Sequence, residues 1–506
     1  MAISNGYWGV RARWTWAFVR RSDASWGRAA VRFAFLVHRW AGIAACLFFA
    51  MWFASGLVMI YVPYPALTPA QMAAGVEPID WGGVERPPPD GATARRITLE
   101  MRDGVPVWRI EGAGGETQVR SARTGARVAP VDAAYARRVA ARFAGAPVVA
   151  VAPIGHDQWT VAGGFDRHRP LWKATLADAA GTELYVSSLT GQPVQRTTRT
   201  QRIWNWLGSV PHWLYPTILR RDGGLWRQVV MWVSGPCIAV ALTGMWIGIL
   251  RMRLGRRRYR GGRVTPYRGW MVWHHVSGLL GGVLLTGWIV SGWLSVDPGR
   301  VFAGGTAPVA AMRAYAGQAG EPVALDRLAA MAGPARSVVW SGDGGWRRIA
   351  IDPAGPHPRW LEQATLAPAA PIDRPDAAAM LVPGGHVTGV ARLERPDFYW
   401  ANPARLPVVR MRFDDGAATW LYLDPMSGAV VERQDRVRRA YRWAYTLLHT
   451  WDWPWLTAWR PGWTAWMWLW SIAGLILSVS GVVVGWRRLS RPASRGRVKT
   501  SPSGLA

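Results

Sequence analysis

The chain has 506 residues, of which half are hydrophobic, and its formal net charge is +29. This combination excludes a disordered basic tail, which contains few apolar residues, and it does not fit an ordinary soluble enzyme. A membrane protein explains both numbers. The only two cysteines, Cys46 and Cys237, imply no disulfide framework, and there is no C-x-x-C-H motif for covalent haem attachment.

Four apolar segments are long enough to cross a hydrocarbon core of about 30 Å as helices, which takes roughly 20 residues. We predict these spans at 33–62, 226–250, 269–296 and 463–486. The first apolar run is too long for the core of a cleaved signal peptide. Many of the 35 tryptophans fall near the ends of these spans, as in an interfacial aromatic belt.

Arginines accumulate in the segments that flank the spans on one side of the membrane. These segments are the arm 1–32, the loop 251–268 and the tail 487–506. The positive-inside rule makes all three cytoplasmic, which places the long regions 63–225 and 297–462 on the other side. The charge therefore indicates orientation in a lipid bilayer. No nucleic-acid partner is expected, because no aromatic-interleaved basic fold accompanies the arginines.

Both long regions show the patterns of small α+β domains. Residues 182–186 and 419–423 alternate in polarity before a glycine turn, which predicts strand, turn and strand. Residues 132–143 and 325–331 have helical patterns. Each region is thus predicted to contain an α+β domain, followed by an amphipathic aromatic segment that leads into the next span.

The two halves of the chain form a tandem repeat. His212 recurs in the second half as His449, and His38 recurs at nearly the same offset as His274. Because ionisable residues are costly in hydrocarbon, histidines repeated in both halves are functional candidates. Both halves enter the membrane from the same side, so equivalent residues share a depth. Other residues keep the register, including Pro170 with Pro407, Tyr185 with Tyr422, Gly191 with Gly428, and Gly244 with Gly481.

The repeated histidines predict two metal sites, with His38 and His274 near the cytoplasmic edge and His212 and His449 near the outer edge. Haem takes two imidazoles on opposite faces, which facing helices of a bundle supply, whereas zinc takes about four ligands. Alternatively, each histidine would be an interfacial residue hydrogen-bonded to the backbone. Because four positions repeat at matching depths, we predict two b-type haems with these four axial ligands. His275 remains an alternative to His274, because the sequence does not fix the rotation of that helix.

Other residues near the inner pair have two interpretations. Arg39, Arg251 and Arg488 would pair with haem propionates, or they would serve only as positive-inside anchors. Glycines would let a macrocycle approach the backbone, or they would only permit close helix packing. These glycines are Gly42, Gly278, Gly281 and Gly282. The histidines of the long regions are expected to be ordinary surface or loop residues, namely His156, His168, His357 and His386.

Three motifs resemble those of a known family. His-Arg-Trp-Ala-Gly stands at 38–42 with Ser-Gly at 55–56, and the repeat places His274 to Gly278 with Ser-Gly at 291–292. The third motif is the hairpin Tyr-Leu-Asp-Pro-Met-Ser-Gly at 422–428. Together they resemble the PepSY-associated transmembrane family over nearly the whole chain. The first copy departs from the hairpin, with two serines at 187–188 in place of Asp-Pro.

This family includes inner-membrane proteins of bacterial iron uptake, among them a di-haem ferri-siderophore reductase. The resemblance implies a four-helix membrane protein with two PepSY-like periplasmic domains in the bacterial inner membrane. It also implies one-electron reduction of a ferri-siderophore or another ferric chelate. The sequence has no evident nicotinamide or flavin motif, so the electron donor is expected to be a separate protein, a soluble reductant or quinol.

Two other functions remain open from the sequence. The external domains would bind peptide or inhibit a protease, as the PepSY name suggests, with the spans as mere anchors. Alternatively, the chain would be a component of a permease for siderophore or iron, although four spans are few for a permease. Anchoring alone would not require histidines repeated at matching depths.

Overall fold

The computed structural model describes residues 22–88, 94–112, 115–317, 323–355 and 357–490. Most of the predicted basic arm 1–32 and tail 487–506 therefore lies outside the described residues. The chain divides into two compact units, each of which combines segments from both halves of the repeat. Unit 1 comprises Met1–Phe53, Val233–Val290 and Trp470–Ala506, and unit 2 comprises Ala54–Trp232 and Ser291–Leu469.

The described helices range from single turns to segments of membrane-spanning length. They are α1 (Ser22–Met59), α2 (Pro69–Ala74), α3 (Ala133–Ala144), α4 (Arg199–Leu207), α5 (Ser209–His212), α6 (Thr217–Arg220), α7 (Gly223–Arg251), α8 (Trp270–Leu280), α9 (Gly282–Leu294), α10 (Val309–Ala316), α11 (Leu325–Ala332), α12 (Arg436–Tyr441), α13 (Leu448–Thr450), α14 (Pro454–Ala458) and α15 (Arg460–Leu489). A π-helical turn, Arg442–Leu447, connects α12 to α13.

Within the described ranges, α1, α7 and α15 are each long and apolar enough to cross a membrane. They correspond to the predicted spans 33–62, 226–250 and 463–486. Only 22%, 28% and 22% of their most apolar windows is buried within the protein. Most of this apolar surface is therefore left for lipid, as expected for helices that cross a bilayer.

The predicted span 269–296 is not one straight helix, because α8 and α9 are bent by 72° at their junction. The structure thus has three continuous candidate spans in its described part, or four if the bent pair counts as one. The junction lies at Gly281 and Gly282, and glycine pairs are common sites of helix kinks. The repeat places Ala45 and Cys46 at these positions of α1, which continues without a break.

The core of unit 1 consists of apolar side chains from both halves of the chain. Phe49, Phe53, Cys237, Val240 and Leu285 are buried together. Both cysteines of the chain are buried free thiols, in agreement with the absence of a disulfide framework.

Unit 2 contains the β-strands of the described residues. They are β1 (Ala94–Arg102), β2 (Val105–Gly112), β3 (Thr117–Ser121), β4 (Val148–Ile154), β5 (Leu171–Leu176), β6 (Glu183–Ser187), β7 (Pro193–Thr197), β8 (Ser337–Ser341), β9 (Arg348–Ile351), β10 (Arg359–Glu362), β11 (Val387–Leu393), β12 (Val408–Phe413), β13 (Trp420–Leu423) and β14 (Val430–Gln434).

The two predicted external domains share one sheet, which the sequence did not predict. Its strand order is β10-β9-β8-β1-β2-β3, so a three-stranded meander from each half meets the other edge to edge. At this junction β1 and β8 are antiparallel, with Leu99 opposite Val338. Trp108 and Trp340 pack edge to face beside it, with 5.3 Å between ring centroids. The pairing removes two exposed sheet edges.

Each half also forms a four-stranded antiparallel sheet, β4-β5-β6-β7 in the first and β11-β12-β13-β14 in the second. The predicted helices at 132–143 and 325–331 are confirmed as α3 and α11. The predicted glycine-turn hairpins are confirmed as β6–β7 and β13–β14. Gly191 and Gly428 each have φ of 75° in these turns, a left-handed conformation that favours glycine.

The acid of the second hairpin motif has a structural role. Asp424 Oδ1 accepts hydrogen bonds from the Ser427 backbone N–H at 2.7 Å and from the Ser427 hydroxyl at 2.8 Å. In the first copy, Ser187 Oγ accepts from the Thr190 N–H at 3.2 Å. Aspartate and serine both stabilise turns in this way, so the departure from the motif substitutes one turn-forming side chain for another.

Candidate functional site

The predicted inner histidines come together in unit 1, His38 from α1 and His274 from α8. Their ring centroids are 6.0 Å apart, and their planes are inclined by 44°. Two imidazole nitrogens that bind one metal from opposite sides, each at about 2.0 Å, hold their rings about 6 Å apart. The observed separation is therefore compatible with a pair of axial ligands.

Each inner imidazole is held at Nδ1 by a backbone carbonyl. His38 Nδ1 lies 3.0 Å from the Val240 carbonyl oxygen, and His274 Nδ1 lies 3.2 Å from that of Leu477. A carbonyl oxygen only accepts, so Nδ1 carries the proton in both rings. This arrangement leaves the Nε2 lone pair for a metal, and it is the usual outer partner of a metal-bound histidine. Val240 and Leu477 are themselves equivalent under the repeat.

Glycines make room for both inner rings. A Cβ atom on Gly244 would lie 2.5 Å from His38 Cε1, and one on Gly481 would lie 3.3 Å from His274 Cε1. These two glycines are repeat partners. The sequence showed their register but gave no indication that they contact the histidines.

The inner pair lines a cavity of about 450 Å³ in unit 1. This volume lies within the range of about 300–1,000 Å³ that is typical of cofactor and ligand sites. The cavity wall is mainly apolar and includes Gly42, Gly278 and Gly282. Of the glycines expected to allow a macrocycle near the backbone, Gly281 alone does not line it. Instead, a Cβ there would lie 3.0 Å from Leu285 Cδ1.

Two of the three predicted propionate partners, Arg39 and Arg488, line this cavity. The third, Arg251, is not in its wall, and its guanidinium lies over the Phe35 ring, 5.0 Å from the centroid. Phe35 does line the cavity. Arg39 and Arg488 are therefore placed for an anionic group in the cavity, whereas Arg251 only contacts Phe35, which lines it.

His275 also lines the cavity, but both of its ring nitrogens are engaged. Nε2 lies 2.9 Å from the Gly248 carbonyl oxygen, and Nδ1 lies 2.9 Å from the Thr265 hydroxyl. The carbonyl requires a proton on Nε2, so Nδ1 accepts from the hydroxyl. This is a buried histidine with its hydrogen bonds satisfied. The geometry favours His274 over His275 as the ligand.

The predicted outer histidines come together in unit 2, His212 at the end of α5 and His449 in α13. Their ring centroids are 6.2 Å apart and their planes are inclined by 66°. Ser55 Oγ lies 3.1 Å from His212 Nδ1, and Ser291 Oγ lies 3.1 Å from His449 Nδ1. With Nδ1 held by serine, Nε2 is the nitrogen that a metal would take.

The glycine of each Ser-Gly motif lies against the same outer ring. A Cβ on Gly56 would be 3.3 Å from His212 Cε1, and one on Gly292 would be 3.4 Å from His449 Cε1. Ser55 and Ser291 are buried. The Ser-Gly motif therefore forms the binding site of an imidazole ring. Its serine makes a hydrogen bond with Nδ1, and its glycine leaves space for the ring edge at Cε1. The motif is visible in the sequence, but this role is not.

The donor set fits haem better than zinc. In the described part of the chain, no three His, Cys, Asp or Glu side chains group as they would around a metal ion. Asp452, the acid nearest His449 in sequence, accepts a hydrogen bond from Arg442 Nη1 at 2.7 Å. Each site thus offers two imidazoles, as haem requires, and lacks the four ligands of a tetrahedral zinc site.

The histidines of the long regions 63–225 and 297–462 lie in other surroundings. His386 is exposed and lies 3.4 Å from Asp414, and His156 lies 3.9 Å from Asp166. His168 is partly buried. Burial, and secondarily the neighbouring Arg167 guanidinium, lower the pKa of His168 to about 4.

Comparison with models of known protein families and with curated proteins gives no match to this chain.

Proposed function

We propose that this protein is a di-haem b electron conduit of the bacterial inner membrane and a member of the PepSY-associated transmembrane family. It would receive electrons on the cytoplasmic side and reduce ferric iron, held in a siderophore or another chelate, on the periplasmic side. In this proposal the bent pair α8–α9 counts as the fourth span, and the folded part of unit 2 contains the PepSY-like domains.

The proposal rests on one observation. The repeated histidines form two imidazole pairs, and the distance between the ring centroids of each pair is compatible with axial ligands of one haem. The centroid separations of 6.0 Å and 6.2 Å match each other, although the pairs arise from different elements. In both pairs Nδ1 has an oxygen partner and a glycine lies against Cε1. An anchor for a peptide-binding domain would require none of these features.

Haem, when bound, supplies a one-electron redox couple. The residues of the chain would set its position and properties. Hydrogen bonds from Nδ1 to Val240 and Leu477, and to Ser55 and Ser291, orient each ring and increase its strength as a ligand. Arg39 and Arg488 place positive charge at the cavity of the inner pair, where the propionates of a haem would lie.

Reduction of a ferric chelate requires no acid or base from the protein. One electron converts Fe(III) to Fe(II), which hard oxygen ligands hold less tightly, so the metal can leave the chelate. The direction of transfer follows from the arginine-rich segments, which the positive-inside rule assigns to the cytoplasm. The donor would be a separate protein, a soluble reductant or quinol.

The test is the spectrum and haem content of the full chain, expressed with an adequate haem supply and purified in detergent. We expect a Soret band, sharp α bands after dithionite reduction, and a pyridine haemochromogen ratio of two haems per chain. Anaerobic addition of a ferric chelate should then oxidise the reduced haems. A folded, colourless protein would overturn the proposal, as would haems that a ferric chelate does not oxidise.

A further inference from the structure

Unit 2 contains a second cavity, of about 800 Å³, that is separate from the histidine pairs. Its wall combines residues of β1, β2 and β3 in the shared sheet with residues of β13 and β14 and of the segments that precede and follow the second four-stranded sheet. Arginines outnumber acids among the charged side chains that line it. These side chains are Arg95, Arg167, Arg433 and Arg438, with Glu111 and Asp343 as the acids.

One acid is already neutralised within the wall. Asp343 lies 3.7 Å from the Arg95 guanidinium and is buried, whereas the arginine side chain is half exposed. The remaining arginines exceed the remaining acid, so this arginine-lined cavity carries net positive charge. Cavities lined by one sign of charge concentrate ligands of the opposite sign.

Two of the arginines are held in place by the protein. Arg433 donates to the Leu381 carbonyl at 3.0 Å and to Thr419 Oγ1 at 3.3 Å. Its Nε is buried and has no partner among the described residues. Arg438 lies close to Gly304, where a Cβ would be 2.5 Å from its Cγ. Guanidinium groups in fixed positions favour planar oxyanions such as carboxylates.

Aromatic rings connect this cavity to an outer histidine. The Arg438 guanidinium lies over the Tyr441 ring, 5.1 Å from its centroid. The Tyr441 and Tyr445 ring centroids are 5.2 Å apart, and those of Tyr445 and His449 are 5.6 Å apart. Residues spaced by three or four positions lie on one face of a helical segment. A continuous series of packed side chains therefore leads from the cavity wall to His449.

Only the second half of the repeat has this series. With the offset that relates His212 to His449, positions 201, 204 and 208 correspond to 438, 441 and 445. They hold Gln201, Trp204 and Gly208. The position equivalent to Tyr445 in the first half is thus a glycine, which has no ring. This difference between the two halves occurs where the series of packed side chains reaches the arginine-lined cavity.

We propose that the arginine-lined cavity binds an anionic ferric chelate, and that Tyr441 and Tyr445 lie on the path between the chelate and the outer haem. The electron path rests on the proposed function, whereas chelate binding does not. The chelated Fe(III) gains one electron, the outer haem iron loses one, and no proton moves. The cavity volume is adequate for a chelate the size of an ordinary cofactor or drug.

The binding test uses the gallium(III) complex of citrate, an anionic chelate that cannot be reduced under these conditions. Isothermal titration of the purified full chain should show saturable binding. Arg438→Gln should weaken it about tenfold or more, as expected for loss of one charge-assisted contact. Arg436→Gln, on the same helix but outside the cavity wall, should leave the affinity for gallium citrate unchanged.

A cationic gallium trihydroxamate complex should bind at least about tenfold more weakly than the citrate complex, because it lacks the favourable charge.

Absence of saturable gallium citrate binding would overturn the cavity assignment, and so would equal losses in the two arginine variants. Because gallium binding involves no electron transfer, it tests the cavity even if the protein contains no haem. A colourless protein that binds gallium citrate would therefore overturn the proposed function and retain the cavity.

The path test measures anaerobic oxidation of the reduced haems by ferric citrate in a stopped-flow instrument. Tyr445→Leu should slow it several-fold at unchanged haem content. Tyr441→Leu should also slow the oxidation of the haems several-fold. This variant leaves Tyr445, the residue that contacts His449, unchanged. Trp443→Leu is the matched control, because its ring stacks on Phe398, away from this series. Unchanged rates in both tyrosine variants would overturn the path.

Discussion

Gly244 lies directly against His38, so that a Cβ atom at position 244 would come within 2.5 Å of His38 Cε1. Because such a contact forces the ring to move, Gly244→Ala should displace the ligand and release the inner haem. The pyridine haemochromogen ratio should fall from two toward one. Gly481→Ala should have a weaker effect, since the corresponding distance to His274 is 3.3 Å.

The control for this prediction is Gly287→Ala. A Cβ at position 287 has no atom within 4 Å, so the extra methyl group meets open space in the same membrane unit. The protein should keep both haems. Full haem content in Gly244→Ala would show that His38 is not held as a ligand by the surrounding helix.

His212→Ala and His449→Ala should each remove the outer haem and retain the inner one, because the two pairs involve different residues. The haem ratio should fall from two to one in each variant, and the spectrum of the remaining haem should be the same in both. A ratio of two in both variants would mean that these histidines are not ligands.

Ser55→Ala and Ser291→Ala should keep the outer haem but change its redox potential. A ligand imidazole bound through Nε2 carries its proton on Nδ1, which donates to the serine hydroxyl. Loss of this acceptor makes the imidazole a weaker donor to iron and should raise the reduction potential. A spectroelectrochemical titration measures the change. An unshifted potential would contradict a contact between serine and a ligand ring.

The sequence predicted the histidine pairs because repetition marks residues that both halves require. It also predicted the hairpins, whose turns at Gly191 and Gly428 depend on local backbone conformation. It did not predict that β1 and β8 pair across the halves, since strand pairing between distant segments leaves no local pattern. The helix bend at Gly281 was likewise missed, because an apolar glycine pair is compatible with either a straight or a bent span.

The roles of the residues around the histidines also required the structure. Gly244 and Gly481 are repeat partners in the sequence. The sequence alone does not distinguish a glycine that permits close helix packing from one that leaves space for a histidine ring. The aromatic contact between Tyr445 and His449 also required the structure, because a spacing of four residues brings two side chains together only where the segment is helical.

The orientation of the chain can be tested with topology reporters. Fusions near Gly262 or at Ala506 should be active only as cytoplasmic reporters, because these arginine-rich segments remain inside. Insertions near Pro88 or Pro371 should be active only as periplasmic reporters. The opposite pattern would reverse the proposed direction of electron flow.

Acid should destabilise unit 2 through His168. The folded pKa of about 4 lies below the ordinary value of 6.5, so the unfolded chain binds the extra proton as the pH falls between them. Stability is therefore full above pH 6.5 and declines toward pH 4, by about 1–2 kcal/mol for this partly exposed ring. His168→Gln should remove that part of the pH dependence in thermal unfolding of the full chain. His357→Gln, at an exposed site, should leave that part unchanged. If the stability of His168→Gln declined between pH 6.5 and pH 4 as much as that of the unchanged protein, this ring would not be the cause.

At the inner site, two neighbouring histidines are candidates for the same ligand position. His274 and His275 follow each other on one helix and point about 100° apart, so only one of them can face the haem. His274 Nδ1 contacts the Leu477 carbonyl and leaves Nε2 for a metal, whereas both nitrogens of His275 already have partners. His38→Ala and His274→Ala should therefore each abolish the inner haem and stop electron transfer from cytoplasmic donors to an external ferric chelate. His275→Ala should retain both haems and lose about 1–3 kcal/mol of stability, since it leaves the Gly248 carbonyl without its donor. Haem loss in His275→Ala together with haem retention in His274→Ala would show that the inner ligands break the symmetry of the repeat.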